Sequence, residues 1–235
     1  MSGPTGERRE IETSPVARST PKAEETRRRI LESAMGLFRE RGFEPTTMRD
    51  IASQAGVAIG AAYYYFDSKE ALVIAFYQQA KDEMNQQIQA ALAESKDLRT
   101  RLQAVIEVKF RFFAPSRNFL GALFRHAADP DDPLSPFSEQ TRDIRELDIQ
   151  HFAEAMNASD IQPPDDLRPH LPKLLWLYQM GLILFWIYDR SPEQARTRLL
   201  LAKSLAIVTA AIKLARLPMI RPLRRSVIEL LNGIA

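Results

Sequence analysis

Beyond its first quarter this chain is almost without glycine. Of the nine glycines in 235 residues, only Gly121, Gly181 and Gly233 lie past residue 61. Tight hairpin turns favour glycine because it takes positive φ at no steric cost, so a chain this poor in it has few ways to turn strand back on strand. From residue 20 onward apolar residues recur at helical spacing, without sustained alternation, and the runs are broken at Pro115, at 129–133, at 163–166, at Pro192 and at Pro218. The pattern predicts an all-α fold, with helices in the later part near 98–114, 116–128, 138–157, 169–189, 192–217 and 223–233.

Composition narrows the chemistry. The chain has no cysteine, which removes disulfides, thiolate metal sites and a cysteine nucleophile, and suits a reducing, cytoplasmic setting. An apolar fraction of 45% is ordinary for a globular protein. The longest apolar stretch, 174–188, is interrupted by Gln179 and is shorter than the roughly 20 residues of a membrane span, so it reads as a buried helix and no membrane is expected as a partner. Charged residues at 7–12 interrupt the region where a signal peptide would carry its apolar core.

Residues 1–19 mix Gly, Pro, Ser, Thr and charges with little apolar content and read as a flexible arm. A first helix then opens cleanly, with Thr20 as cap, Pro21 in the first turn, Ile30, Ala34, Leu37 and Phe38 on one face, and Gly42 at its end. Two very short helices follow, near 48–55 and 59–65, separated at Gly56-Val57. Asp67 with Glu70 three residues on has the spacing of a capping box for a long helix to about residue 94.

Two helices of about seven residues cannot persist alone, because nucleation is costly and each adds few bonds. Held against the first helix, they make a helix-turn-helix unit whose second short helix can enter the major groove of DNA. Thr47 can cap the first of them, with Asp50 at its third position, and Ile51, Ala52 and Ala55 face a small core that Val57 completes. In the second, Tyr63, Tyr64 and Tyr65 span roughly 200° of arc, so they cannot all be buried in so small a unit. Outward tyrosines offer hydroxyls to phosphate oxygens, and the small residues before them let the backbone approach base edges. The alternative is that one tyrosine packs in the core and the others merely coat a surface. Lys69, a cation in the first turn of a helix, opposes the macrodipole, and a bound phosphate would reverse the sign of that effect.

Thr26-Arg27-Arg28-Arg29-Ile30-Leu31-Glu32-Ser33-Ala34, Leu37-Phe38, Gly42-Phe43, Thr46-Thr47-Met48-Arg49-Asp50-Ile51-Ala52, Ala55-Gly56-Val57, Gly60, Tyr63-Tyr64-Tyr65-Phe66 and Ser68-Lys69-Glu70-Ala71-Leu72 together resemble the N-terminal domain of TetR-family transcriptional regulators over roughly residues 24–84. The resemblance implies a DNA-binding domain at 20–84, a helical effector-binding and dimerisation domain at 85–235, and a homodimer on a double-stranded DNA operator with two-fold symmetry. It also implies a repressor released by a small molecule. Carried over position by position, phosphate contacts fall on Thr47, Tyr64, Tyr65 and Lys69 and base reading on Ala58, Ile59, Ala61 and Tyr63, with Thr46 and Gly60 in the same surface. Ala58 departs from the Ser or Thr common in the family, and Ala61-Ala62 from a Thr-Leu or Ser-Leu pair, so readout would lean on thymine methyls and DNA shape.

Past residue 95 no motif names a ligand. The segments 169–189 and 192–217 are the dimer candidates, the first apolar nearly all round, although a monomeric core helix has the same composition. Aromatic residues are dense, and Phe113, Phe124, His126, Phe152, Trp176 and Gln179 are the candidate lining of a pocket for a small hydrophobic or aromatic effector, against the plainer reading of a helical core. His126, His151 and His170 lack ligand-type spacing, so no metal and no cofactor are expected, and no phosphate loop, dinucleotide fingerprint or serine elbow is present. The chain therefore reads as a DNA-binding regulator and not an enzyme, with an all-α small-molecule carrier or interaction module that has lost DNA binding as the rival.

The net charge of +2 conceals a gradient. Residues 1–70 carry 11 basic and 11 acidic side chains, 71–189 carry 12 and 17, and 190–235 carry nine and two. Affinity for DNA would thus come from a few placed contacts and from bivalency more than from a broad positive field. The basic cluster Lys213, Arg216, Arg221, Arg224 and Arg225 reads as a solvated surface.

Overall fold

A computed structural model describes residues 20–124 and 129–233; the arm predicted for 1–19 and His126 lie outside the described residues. The described residues contain no strand, and ten α-helices follow in order: α1 (Pro21–Arg41), α2 (Met48–Gln54), α3 (Ile59–Tyr65), α4 (Lys69–Ala93), α5 (Leu98–Phe113), α6 (Arg117–Leu123), α7 (Arg142–Asn157), α8 (Leu171–Tyr188), α9 (Ala195–Leu214) and α10 (Arg221–Gly233).

Local chemistry explains most boundaries. The Ala23 amide donates to Thr20 Oγ1 at 3.3 Å, Pro21 occupies the first turn of α1, and Gly42 closes the helix at φ 93°, a conformation side-chain-bearing residues avoid. The capping box expected from Asp67 and Glu70 is absent. Ser68 caps α4 instead, its Oγ accepting from the Ala71 amide at 3.1 Å. Two neighbouring residues could each serve as cap, and the hydroxyl one step closer to the helix takes the position. The expected helix 138–157 begins only at Arg142, because Ser135, Ser138 and Thr141 bind one another and nearby carbonyls in a turn, with Thr141 Oγ1 donating to the Ser135 carbonyl at 2.7 Å. The expected helix 192–217 divides at Glu193 and Gln194, both at positive φ, so that α9 starts at Ala195.

Buried polar residues tie helix ends together. Arg101, 6% exposed, donates to the carbonyls of Ala155 at 2.8 Å, Ser95 at 2.9 Å and Glu154 at 3.0 Å, and also to that of Leu92. The free carbonyls at the C-terminal ends of α4 and α7 compensate its charge in place of a carboxylate. The Asp189 carboxylate accepts from the amides and hydroxyls of both Ser191 and Thr197, fixing the start of α9 and holding its own pKa well below the usual carboxylate range. Arg224 leaves the predicted solvated cluster: it pairs with Asp166 at 2.9 Å and donates to the Ala215 carbonyl at 2.5 Å, pinning α10 to the end of α9.

The first three helices pack together around Ile30, Phe38, Ile51 and Ala62, all essentially buried. Helix α4 packs on α1 at its start and on α5 and α7 farther along, so one helix runs from the small N-terminal unit into the larger bundle. A second link is aromatic: the Phe38 ring stacks on that of Phe119 in α6, with centroids 5.3 Å apart, and Arg39 Nε donates to Ser116 Oγ at 2.9 Å. Helix α8 alone among the described helices is long and apolar enough to cross a membrane by length and composition, and its Leu175, Trp176, Gln179, Leu182 and Trp186 are buried in this bundle.

Candidate functional site

The short helix α3 is presented by two devices. A capping box starts α2: the Asp50 amide donates to Thr47 Oγ1 at 3.2 Å, while the Thr47 amide and hydroxyl donate to Asp50 Oδ2 at 2.9 and 2.6 Å. These bonds hold the Asp50 carboxyl below its usual range, its bond with the Thr47 side chain being the largest cause. The turn follows at Gly56, φ 63°, and Arg29 from α1 reaches over it, donating to the carbonyls of Ala55 at 2.7 Å and Gly56 at 3.4 Å. The turn is thereby fixed to α1, a role for Arg29 that short-range pattern does not reveal.

This construction exposes one side of α3. Ala58, Ile59, Gly60, Tyr63 and Tyr64 are exposed, with Tyr64 at 83%, whereas Ala62 is buried and Ala61 and Tyr65 are half-buried. Of the three tyrosines, two face outward and Tyr65 packs against the core, its ring edge-on to Tyr64 at 5.2 Å. A Cβ built at Gly60 meets nothing within 4 Å, so the backbone there is open to close approach. Ala58 stands at the N-cap of α3 and offers no side-chain cap, so no side chain of the cap takes the first amides of the helix.

Three of the sequence candidates sit differently from their neighbours. Thr46 is 2% exposed and its hydroxyl donates to the Gly42 carbonyl at 2.7 Å, so its side chain braces the α1–α2 turn instead of facing outward. Thr47 is exposed, but both its donors are engaged by Asp50. Lys69 reaches back to the α1–α2 turn: its ammonium donates to the carbonyls of Phe43 at 2.8 Å and Glu44 at 3.3 Å and lies 4.4 Å from the centre of the Phe43 ring. Those carbonyls take over the anion's part in offsetting the helix dipole, and one of its three donors is left over.

A second feature lies in the bundle. An apolar cavity of about 130 Å³ is bordered by α4, α5, α6, α7 and α8. Phe113, Phe124 and Trp176 line it, as expected of them; Phe152 and Gln179 do not line it and are fully buried in the bundle. Gln179 has neither amide atom hydrogen-bonded among the described residues. His151 also borders it, as one of the polar groups a pocket here was expected to hold; sequence pattern missed the rest of the polar wall, Tyr77, Lys81, Lys109, Arg145 and Asp148. Lys109 and Asp148 form an ion pair at 3% and 14% side-chain exposure. Burial, with the Lys109 charge adding to it, pushes the His151 pKa down, so the imidazole is neutral. Its Nε2 bonds Asn85 Oδ1 at 3.1 Å, and its Nδ1 has no partner among the described residues. Burial, then the Asp148 charge, raises the pKa of the Tyr77 hydroxyl. No group of three or more potential metal ligands occurs among the described residues.

Comparison with known proteins agrees with this geometry. Residues 30–76 match the family model for bacterial regulatory proteins of the tetR family, and residues 101–230 match the model for the tetracyclin repressor-like C-terminal domain. The chain is 35% identical over 138 residues to the HTH-type transcriptional repressor KstR2 of Rhodococcus jostii, an alignment covering 57% of this chain and 67% of that protein. It is 47% identical over 58 residues to the HTH-type transcriptional regulator TtgR of Pseudomonas putida, covering 25% of this chain and only 28% of the relative. Among solved structures, a tetR-family transcriptional regulator from Streptomyces coelicolor superposes with a TM-score of 0.64 at 24% identity, over 88% of this chain and 89% of that one. The regulator FadR from Bacillus subtilis, solved with stearoyl-CoA, gives a TM-score of 0.57 at 16% identity over 74% and 95%.

Proposed function

Because the chain belongs to the TetR family of transcriptional regulators, we propose that it represses transcription by binding a two-fold symmetric operator as a homodimer, and that a small hydrophobic effector in the cavity releases it. The observation that carries this reading is the course of α4. Its first turn, with Lys69, abuts the unit that presents α3, and about two to four turns later its Tyr77, Lys81 and Met84 border the cavity. A ligand that reshapes the cavity wall therefore acts on the helix that holds the reading helix. Helix α6 supports the same coupling, with Leu120 and Leu123 at the cavity and Phe119 stacked on Phe38.

Residues 20–84 then form the DNA-binding domain and 85–235 the effector-binding and dimerisation domain. The contact set is Tyr63, Tyr64, Ile59, Gly60, Ala58 and Ala61, with Tyr65, Lys69 and Thr47 toward phosphates. Dimerisation falls to α8 and α9, whose outer faces carry Leu177, Leu184, Phe185 and Tyr188 and Leu199, Leu200, Ile207 and Leu214, all exposed. Apolar stripes of this length are unfavourable in water and mark interfaces. The protein's place is the cytoplasm, a reducing setting that suits a chain without cysteine. Two reading helices must meet successive major grooves, about 34–36 Å apart, and the effector favours a dimer that no longer does.

The test is a gel-shift titration against the DNA upstream of the protein's own gene, backed by selection from random sequence and repeated with apolar ligands. A salt-sensitive shift that a ligand abolishes is expected. No salt-sensitive shift on either DNA would transfer the cavity to the rival reading, a ligand carrier.

A further inference from the structure

We propose that the ligand of this cavity is an anionic amphiphile: an apolar body against the helix walls and one carboxylate or phosphate group held by Lys81 and Arg145. The inference rests on the reading of the cavity as the effector site and specifies the chemistry that site accepts.

The charges around the cavity do not balance. Its ionisable lining comprises Lys81, Lys109, Arg145 and Asp148 with His151 and Tyr77. Lys109 and Asp148 neutralise one another within the wall. His151 is neutral and so is Tyr77, whose pKa is raised. Two cations remain, Lys81 and Arg145, neither with a carboxylate partner among the described residues. Arg145 is oriented rather than neutralised: Nη1 donates to the carbonyls of Pro136 at 2.8 Å and Ser138 at 3.0 Å, while Nε and Nη2 make no hydrogen bond among the described residues. A guanidinium fixed at one nitrogen with its other donors open is prepared for a planar or tetrahedral oxyanion, which it meets with two parallel bonds. Lys81 is exposed and adds a point charge.

The buried part of the wall decides which way such a ligand enters. Because Nε2 of His151 faces the Asn85 oxygen, Nε2 carries the proton and Nδ1 presents a bare lone pair. That lone pair disfavours an anion and the Lys109–Asp148 pair adds no net charge to attract one, whereas Met84, Leu120, Leu123, Trp176 and Ile183 offer apolar surface. The apolar body therefore lies inward and the charge stays with Lys81 and Arg145, where water still reaches.

Three probes with one tail separate the elements of this proposal: decanoate, decyl phosphate and decanol, titrated calorimetrically into the full chain below their micelle concentrations. At least one anion is expected to bind about tenfold or more tightly than decanol. Which anion is preferred distinguishes a carboxylate from a phosphate. Lys81→Gln and Arg145→Gln should each shrink the anion-to-decanol ratio at least about threefold and weaken its salt dependence. Circular dichroism verifies that Arg145→Gln keeps its fold, and Lys81→Gln, on an exposed side chain, gives the independent reading. Decanol binding as tightly as both anions and releasing DNA would overturn this inference while leaving the effector site in place. An anion advantage that survives both substitutions would overturn it as well. Binding of none of the three would overturn the inference, and a gel shift insensitive to all apolar ligands would remove the effector site with it.

Discussion

Lys69 in the first turn of α4 donates its ammonium to the Phe43 carbonyl at 2.8 Å, joining α4 to the turn that leads into α2. The bond crosses 26 residues of sequence. A cation that would otherwise oppose the dipole of α4 is thus held by carbonyls, with a donor to spare. The brace and the proposed phosphate contact use one side chain.

Those two roles separate by salt. Replacing Lys69 with Met should weaken binding to operator and random DNA alike and lower the slope of log K against log salt by about one. Tyr64→Phe, which removes a neutral hydroxyl, should cost about 1 kcal/mol on both DNAs and leave the slope unchanged. Gel-shift titrations between low and moderate salt read both quantities. An unchanged slope for Lys69→Met would leave that residue with its structural role alone.

The Lys109–Asp148 pair lends itself to a double-mutant cycle. Removing either partner strands a charge in the bundle, so Lys109→Met or Asp148→Leu alone should destabilise the protein by about 3–5 kcal/mol. The double variant puts apolar groups in place of both and should recover most of that loss. Urea unfolding of the four proteins gives the coupling. Two single effects that simply add would show that the charges do not depend on one another.

His151 sets an acid limit. Its folded-state pKa lies below the ordinary value near 6.5, chiefly through burial and then through Lys109, with Asp148 and Glu154 opposing. Above pH 6.5 both folded and unfolded chains hold a neutral imidazole and no stability is at stake. Below it the unfolded chain takes a proton that the folded chain refuses, so stability falls from about pH 6.5 toward the folded value, by no more than about 1.4 kcal/mol per pH unit for one proton. Thermal melts of wild type and His151→Leu between pH 7 and 5 should diverge in slope, the wild type falling faster. Parallel slopes would assign the acid sensitivity to other groups.

These groups illustrate what was legible in the residues alone. Thr20 with Pro21, Thr47 with Asp50, and the turns at Gly42 and Gly56 depend on neighbours within a few positions, and each stands where local pattern puts it. The cap of α4 was misread by one residue because Asp67 and Ser68 have nearly equal capping chemistry. Arg29 on the α2–α3 turn, Phe38 on Phe119, and Arg101 on the end of α7 join residues 26 to 81 positions apart, and no period announces them. The cavity divides the same way. Aromatic density pointed to the bundle, yet Phe113 and Trp176 reach the cavity and Phe152 is packed into the core beside it, because which side chains the neighbouring helices cover is settled only once those helices are in place.

The outer faces of α8 and α9 offer the last test. Leu177, Leu184 and Tyr188 follow one stripe of α8 at spacings of seven and four, and Ile207, 70% exposed, lies on the open side of α9. None of these side chains supports the bundle, so a charge there leaves the subunit core intact while it opposes burial against a second copy. Leu184→Glu combined with Ile207→Glu should give a monomer by sedimentation at micromolar concentration, with an unchanged helical spectrum. The operator affinity of that monomer should fall at least about a hundredfold, since the second reading helix no longer binds at high effective concentration, whereas affinity for a single half-site should be nearly unaltered. A double variant that still sediments as a dimer would move the subunit interface away from this surface.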